Sequence, residues 1–255
     1  LAGPRVLEHV VDTVLTFDGD RNHALRLLRS VKHRFGPTGE LGLFEMGDGG
    51  LAGVPDPSGM FLGDRRPGTP GSVVVPLMEG YRPLLVEVQA LVVPSTLAAP
   101  RRQVSGLDAG RVSLLLAVLH QRAGVACLQH DVYVSAVGGV RVAEPGADLA
   151  VAVALASAVA GRALPEGLVV LGEVGLAGEL RQVAATERRL REAARLGYAT
   201  ALVPASAPDV PGVRVRRCAS LLDAVDAVLA DGVAATVRRP PTRPPGDGVV
   251  TMLRP

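Results

Sequence analysis

Lysine is almost missing from this sequence: Lys32 is the only one among 27 basic residues. The others are arginine, a skew that reads most simply as codon-usage bias, so a single arginine says little and the surviving lysine says more. Tryptophan is absent and aromatic residues make up 3% of the chain. The core must therefore be built from Ala, Val and Leu, which suits closely packed helices on a sheet. The two cysteines, Cys127 and Cys218, lie far apart and form no Cys-x-x-Cys pair, which gives no support to a disulfide framework or a structural zinc site. His120, Cys127 and His130 match metal-ligand spacing only loosely; His120 sits in an apolar helical run and His130 stands just before a strand. No run of about eighteen apolar residues escapes charges or Gly/Pro breaks, so no membrane span is expected. No basic-then-apolar leader opens the chain, and Leu1 reads as a cut through a longer protein. A net charge of +2 is too small to argue for a nucleic-acid partner without a favourable distribution.

Three regions follow. Residues 1–58 alternate apolar runs with turns: strands are expected over 10–17, closed by Asp18-Gly19-Asp20, then over 24–34 and 41–46, with Gly36-Pro37-Thr38-Gly39 as a hairpin-type turn. Three such strands bury little alone and read as one side of a larger sheet. Residues 59–71, broken by Gly63, Pro67, Gly68, Pro70 and Gly71, read as a linker. From residue 72 to 232 the pattern is α+β. Strands are expected over 73–77 and 84–93, with a turn at Glu79-Gly80, and again over 132–137, 168–172 and 201–203. One helix is expected over 108–122 with the stripe Val112, Leu115, Leu116 and Leu119, and a second, apolar all round, over 149–159. A third runs from a Thr186 cap to Leu196 with Gly197 after it, and a last begins at a Ser220/Asp223 capping box with the stripe Leu221, Ala224, Val225, Val228 and Leu229. Residues 233–255, with Arg238-Arg239-Pro240-Pro241-Thr242-Arg243-Pro244-Pro245, read as a disordered tail.

Lys32-His33-Arg34-Phe35-Gly36 closely resembles the Lys-Asn-Arg-Phe-Gly motif of the bacterial RadA (Sms) family, with His33 in place of Asn. Its flanks agree: Gly3-Pro4-Arg5-Val6-Leu7-Glu8-His9-Val10-Val11-Asp12-Thr13-Val14 before it and Gly42-Leu43-Phe44-Glu45-Met46 after. So do Asp131-Val132-Tyr133-Val134, Gly138-Gly139-Val140-Arg141 and Gly172-Glu173-Val174-Gly175-Leu176-Ala177-Gly178-Glu179-Leu180-Arg181. Several blocks in order, reaching to about residue 232, are more specific than one short motif. The resemblance implies the last strands of a RecA-like α/β ATPase core in residues 1–58. It further implies a Lon-protease-like domain, of the ribosomal-protein-S5-domain-2 type, in residues 72–232. It also implies a homohexameric ring that moves along single-stranded and branched DNA with ATP and Mg2+, and a RecA-type recombinase as a partner. The family's four-cysteine zinc element and its Walker A loop are not in this sequence. That loop needs Gly-x-x-x-x-Gly-Lys-Ser/Thr, and Lys32 follows Ser30-Val31 with no glycines, so these 255 residues should not hydrolyse ATP.

Strand alternation sends residues 32 and 34 to one face. Lys32 and Arg34 can be a solvated strand face or, as the family implies, cations that reach a neighbouring subunit's triphosphate and act as arginine fingers do. Lon-type peptidases pair a Ser in a Gly-Pro-Ser-Ala-Gly turn with a Lys from a Gly-Gly-Leu-Lys-Glu-Lys block. The matching stretches are Glu144-Pro145-Gly146-Ala147-Asp148 and Ala184-Ala185-Thr186-Glu187-Arg188-Arg189, which set Gly146 at the nucleophile and Glu187 at the base. After Lys32 no lysine remains, and arginine stays protonated, so a Ser/Lys dyad is impossible. Ser105 lacks the Gly-x-Ser-x-Gly elbow, and Cys127 beside His130 reads as a buried thiol. A domain without that chemistry reads as a ring-forming surface with DNA-facing cations. The candidates are Arg101, Arg102 and Arg111 around a helix start, with Arg141 and Arg181 on glycine-flanked loops. Codon bias makes each equally readable as a solvated residue, and a docking module without DNA contact is the competing reading. Arg188, Arg189, Arg191 and Arg195 read as an exposed helix face paired with Glu187 and Glu192.

Overall fold

The computed structural model describes residues 8–18, 25–36, 38, 41–54, 57–231 and 233–234. The first elements are strands β1 (Thr13–Asp18), β2 (Leu25–His33), β3 (Leu41–Gly47) and β4 (Gly50–Gly53), paired antiparallel in chain order. The three expected strands are present and β4 adds a fourth. The turns expected at residues 19–20 and 37–39, and the flank at 3–7, lie wholly or partly outside the described residues. Phe17 packs its ring against Phe44 at 6.4 Å between centroids. Yet Leu15, Phe17, Val31, Met46 and Leu51 all remain exposed. Leu43 is the residue of this sheet that enters the main core, and Arg29 pairs with Glu79.

Helix α1 (Pro57–Leu62) runs into residues 59–71, where a linker was expected. Glycine and proline after Leu62 hide it, but it is anchored: Ser58 is buried and accepts a hydrogen bond from Leu85 N at 3.1 Å. There follow β5 (Ser72–Glu79), β6 (Arg82–Pro94), β7 (Arg102–Ser105), α2 (Ala109–Ala123), β8 (His130–Ala136) and α3 (Asp148–Ala160). The last part comprises β9 (Arg162–Ala163), β10 (Leu168–Val170), β11 (Glu173–Val174), β12 (Leu180–Arg181), α4 (Thr186–Arg195), β13 (Thr200–Pro204), β14 (Arg214–Cys218), α5 (Leu221–Asp231) and β15 (Val233–Ala234). Seven strands form one mixed sheet in the order β14-β13-β10-β5-β6-β8-β7. The β5–β6 and β6–β8 pairs are antiparallel and the others parallel. The α+β class is thus the one observed.

α2, α3 and α5 cover one face of this sheet. The expected stripe of α2 is fully buried, and α3 is buried from Asp148 to Ser157. Each buried Leu or Val there contributes about 1.5–3 kcal/mol. Alanines between them let α3 lie close to the sheet, near enough for Gly71 N to donate to Ser157 Oγ at 2.9 Å. On the other face α4 and α1 close a second core around Val74, Leu85, Val169 and Val203. The capping box of α5 forms as expected, Ser220 N to Asp223 Oδ2 at 3.0 Å and Asp223 N to Ser220 Oγ at 3.2 Å. Thr186 does not cap α4. Its hydroxyl donates to Val183 O at 2.7 Å, and Ala185 before it takes a left-handed φ of 57°. Gly197, with φ 87°, ends α4 as expected. β15 pairs with β9, so the tail cannot start at 233; residues 235–255 lie outside the described residues.

Candidate functional site

Lys32 lies at the end of β2, half-buried, and its ammonium donates to Glu8 O at 2.6 Å. Arg34 follows the strand with its side chain 70% exposed. It meets Asp12 Oδ1 at 3.1 Å and lies over the exposed ring of Phe35, 5.7 Å from its centroid. The two expected partners therefore differ. Lys32 is spent on a backbone carbonyl and fixes the approach of the preceding segment, whereas Arg34 is held only by a surface pair of little strength.

The five arginines expected to face DNA do not form one patch. Arg101 and Arg102 stand at the start of β8, where Val132 N donates to Arg101 O at 2.9 Å. Arg141 follows the end of β8, and Val142 bridges to Leu107 there. The 7 residues of β8 span roughly 20 Å between these ends. Arg111 and Arg181 lie on the Arg141 side, since β12 pairs with β11 next to α3.

Nor are all five available. Arg102 is on β7 and donates to the carbonyls of Arg101 at 3.0 Å, Leu128 at 2.6 Å and His130. Arg111 is committed to Asp148 through both carboxylate oxygens, Nε to Oδ1 at 2.9 Å, and to Val174 O at 3.0 Å. The hydrogen bond to Asp148 raises the pKa of this guanidinium further. Asp148 is 3% exposed and also accepts from Val174 N at 3.2 Å, so the pair ties α2, α3 and β11 together. The sequence put Arg111 at a helix start as a phosphate contact; the tertiary structure adds a carboxylate partner, with the Arg111 side chain 35% exposed. Arg181 pairs with Glu179 at 2.6 Å but stays 61% exposed. Arg101 and Arg141 are exposed. Arg101 N donates to Asp131 Oδ1 at 2.7 Å, a contact that holds the Asp131 carboxyl below its ordinary pKa.

Gly146, set at the nucleophile position by the sequence reading, lies in a short 3-10 turn before α3 and is buried. A Cβ at this position would lie 3.4 Å from Arg189 Nη1, Leu171 Cδ1 and Val183 Cγ2. Glu187, expected to replace the base, instead points to solvent and pairs with Arg191. The residue facing Gly146 is Arg189, two positions on, which also corrects its assignment to an exposed face. It is 2% exposed and fully engaged: Nη2 to Glu144 Oε2 at 2.5 Å, Nη1 to Glu144 Oε1 at 2.7 Å and to Pro76 O at 3.0 Å, Nε to Ala184 O at 3.0 Å. A guanidinium, which stays protonated, thus packs against the Gly146 turn. The signal was in the sequence, since this block ends on Arg189 where the Lon-type block has its second lysine.

Among the described residues no group of three His, Cys, Asp or Glu can hold a metal ion. Cys127 and Cys218 are buried thiols whose pKa values burial raises. Among the described residues no helix is long and apolar enough to cross a membrane.

Comparison with known proteins gives these positions a family. The chain is 50% identical over 235 residues to the DNA repair protein RadA of Brucella abortus (strain 2308), which covers 91% of this chain and 50% of that protein. It is 46% identical over 257 residues to the DNA repair protein RadA of Mycobacterium tuberculosis (strain ATCC 25618 / H37Rv), covering 100% of this chain and 53% of the relative. The chain belongs to the RadA family. The family resemblance seen in the Lys32–Gly36 block is thereby established. A third relative, the DNA repair protein RadA of Streptococcus pyogenes serotype M3 (strain SSI-1), is 51% identical over 207 residues, 81% of this chain and 46% of its own length. The chain thus spans about half the length of the curated relatives it matches. Residues 123–207 match a family model described as subunit ChlI of Mg-chelatase. That stretch runs from the end of α2 to just beyond β13 and includes Gly146, Asp148 and Arg189.

Proposed function

We propose that this RadA-type chain is the DNA-contacting, ring-forming part of an ATP-dependent DNA motor that acts in DNA repair and recombination by promoting branch migration. The observation that carries the reading is the identity of about half of all residues with proteins named DNA repair protein RadA, across nearly the whole chain. In this reading residues 1–58 complete a RecA-like core, which accounts for the apolar side chains that β1–β4 leave exposed. Residues 72–232 form a Lon-protease-like domain whose proteolytic centre is closed by Arg189. The assembly is a hexameric ring in the cytoplasm, working with a RecA-type recombinase.

Cations of this chain would serve ATP held elsewhere in the ring. Arg34, exposed and weakly paired, is the group able to extend to a neighbouring subunit's phosphates and stabilise charge during phosphoryl transfer. Lys32 orients the segment around Glu8. ATP and Mg2+ supply the energy of translocation when bound to the longer protein, and no nucleotide loop lies within these 255 residues. Arg34→Ala in the longer protein is expected to lower DNA-stimulated ATP turnover on the order of 10³-fold. Unchanged turnover removes the role.

A second reading, a docking module without DNA contact, draws support from Arg102 and Arg111 being committed inside the fold. Salt-dependent binding to single-stranded DNA separates the two, because phosphate contacts release counterions.

A further inference from the structure

The seven-stranded sheet is covered unequally. α4 lies over β5 and β6, and α1 over β6. Beyond them the same face of β6, β8 and β7 carries two cross-strand rows: Leu91, Tyr133 and Gln103 in one, Gln89, Ser135 and Ser105 in the next. Strands lie about 4.8 Å apart and same-face neighbours about 7 Å, so these side chains tile an area on the order of 10 by 7 Å. The turn that includes Asp64, Arg66 and Gly71 walls one side, fixed by Ala90 N donating to Gly71 O at 2.8 Å. The result is a cleft of about 550 Å³, within the ~300–1,000 Å³ common for ligand sites.

Its lining is unusual for this protein. A solvent-facing sheet surface in an arginine-rich chain should carry guanidinium groups, yet the two rows hold amides, hydroxyls, one phenol and an apolar side chain that is 59% exposed. Two acids line the cleft: Glu87 is 2% exposed and already met by Ser72 Oγ and by Arg65 Nε at 3.6 Å, and Asp64 is exposed on the wall that carries Arg66. Cations stand only at the margins: Arg66 on the wall, and Arg101 beyond the Tyr133 row, where its N–H meets Asp131.

We propose that this cleft receives an unpaired base of single-stranded DNA. The ring of Tyr133, with Leu91 beside it, offers a stacking surface. Gln89 and Gln103 can each donate to and accept from a base edge. Arg66 and Arg101 are placed to meet the flanking phosphates, a charge arrangement that matches a neutral base between two anions. The proposal rests on the DNA-contacting reading above and locates its base contact.

The test is a fluorescence-anisotropy titration of this chain with a labelled oligo-dT and with an abasic strand of equal length, at several salt concentrations. Loss of the bases is expected to weaken binding about ten-fold. Tyr133→Leu and Gln103→Ala should remove most of that difference and leave the salt dependence of binding to either strand unchanged, while Tyr133→Phe keeps the preference. Equal affinity for the two strands, or Tyr133→Leu binding like the parent, overturns the base site and leaves DNA contact standing. Binding to neither strand overturns both. If Tyr133→Leu alters self-association in sedimentation and not the preference for bases, the cleft is a contact between copies and the proposal fails.

Discussion

Ala185 holds a left-handed φ of 57° at the entry to α4 without any side-chain cap. A Cβ in that region costs about 1–2 kcal/mol relative to glycine. Ala185→Gly is therefore expected to stabilise the protein by about 1 kcal/mol, read as a rise in urea midpoint at constant m value; a fall would mean the backbone there is set by something else. Arg189 carries a buried and fully bonded charge. Arg189→Met leaves Glu144, whose side chain is 26% exposed, without its partner. Breaking a buried pair costs about 3–5 kcal/mol, and partial access of Glu144 to water reduces this to about 2–4. Adding Glu144→Gln should recover part of the loss. Neither change should create peptidase activity. These roles were only half legible in the sequence. Lysine usage sufficed to exclude the dyad, but the direction of Arg189 depends on a helix start shaped by Ala185, which propensity does not foresee.

Elements with a strong local code were readable and those held by tertiary contacts were not. α2 declared itself through its apolar stripe and α5 through its stripe and capping box, which forms. Ser220→Ala should cost about 1 kcal/mol in chemical unfolding; no change would show that the cap is redundant. β14 was missed because Arg214, Arg216 and Arg217 hide a strand whose pairing comes from β13. It lies at the sheet edge, where charged side chains are the usual protection against pairing with other chains. α1 was lost among glycines and prolines, although Ser58 anchors it to β6. The open face of β6, β8 and β7 was also invisible, because alternation shows which residues share a face and not which face lacks a cover.

The whole molecule joins an exposed, cation-tipped antiparallel sheet to a three-layer body in which Arg189 packs against the Gly146 turn and pairs with Glu144. Its arginines divide into those that hold the fold, Arg102, Arg111 and Arg189, and those left outside, among them Arg34, Arg101 and Arg141. Arg111→Ala should thus lower stability through Asp148 with little change in the salt dependence of DNA binding. Arg141→Ala should do the reverse, leaving unfolding unchanged and reducing the salt slope on single-stranded DNA by about 0.7. The measurement that bears most directly on the account is the affinity of this chain for single-stranded DNA as a function of salt concentration. At least two phosphate contacts predict that log K falls against log salt with a slope of about −1.4 or steeper. A flat line, or no binding at low salt, would contradict it.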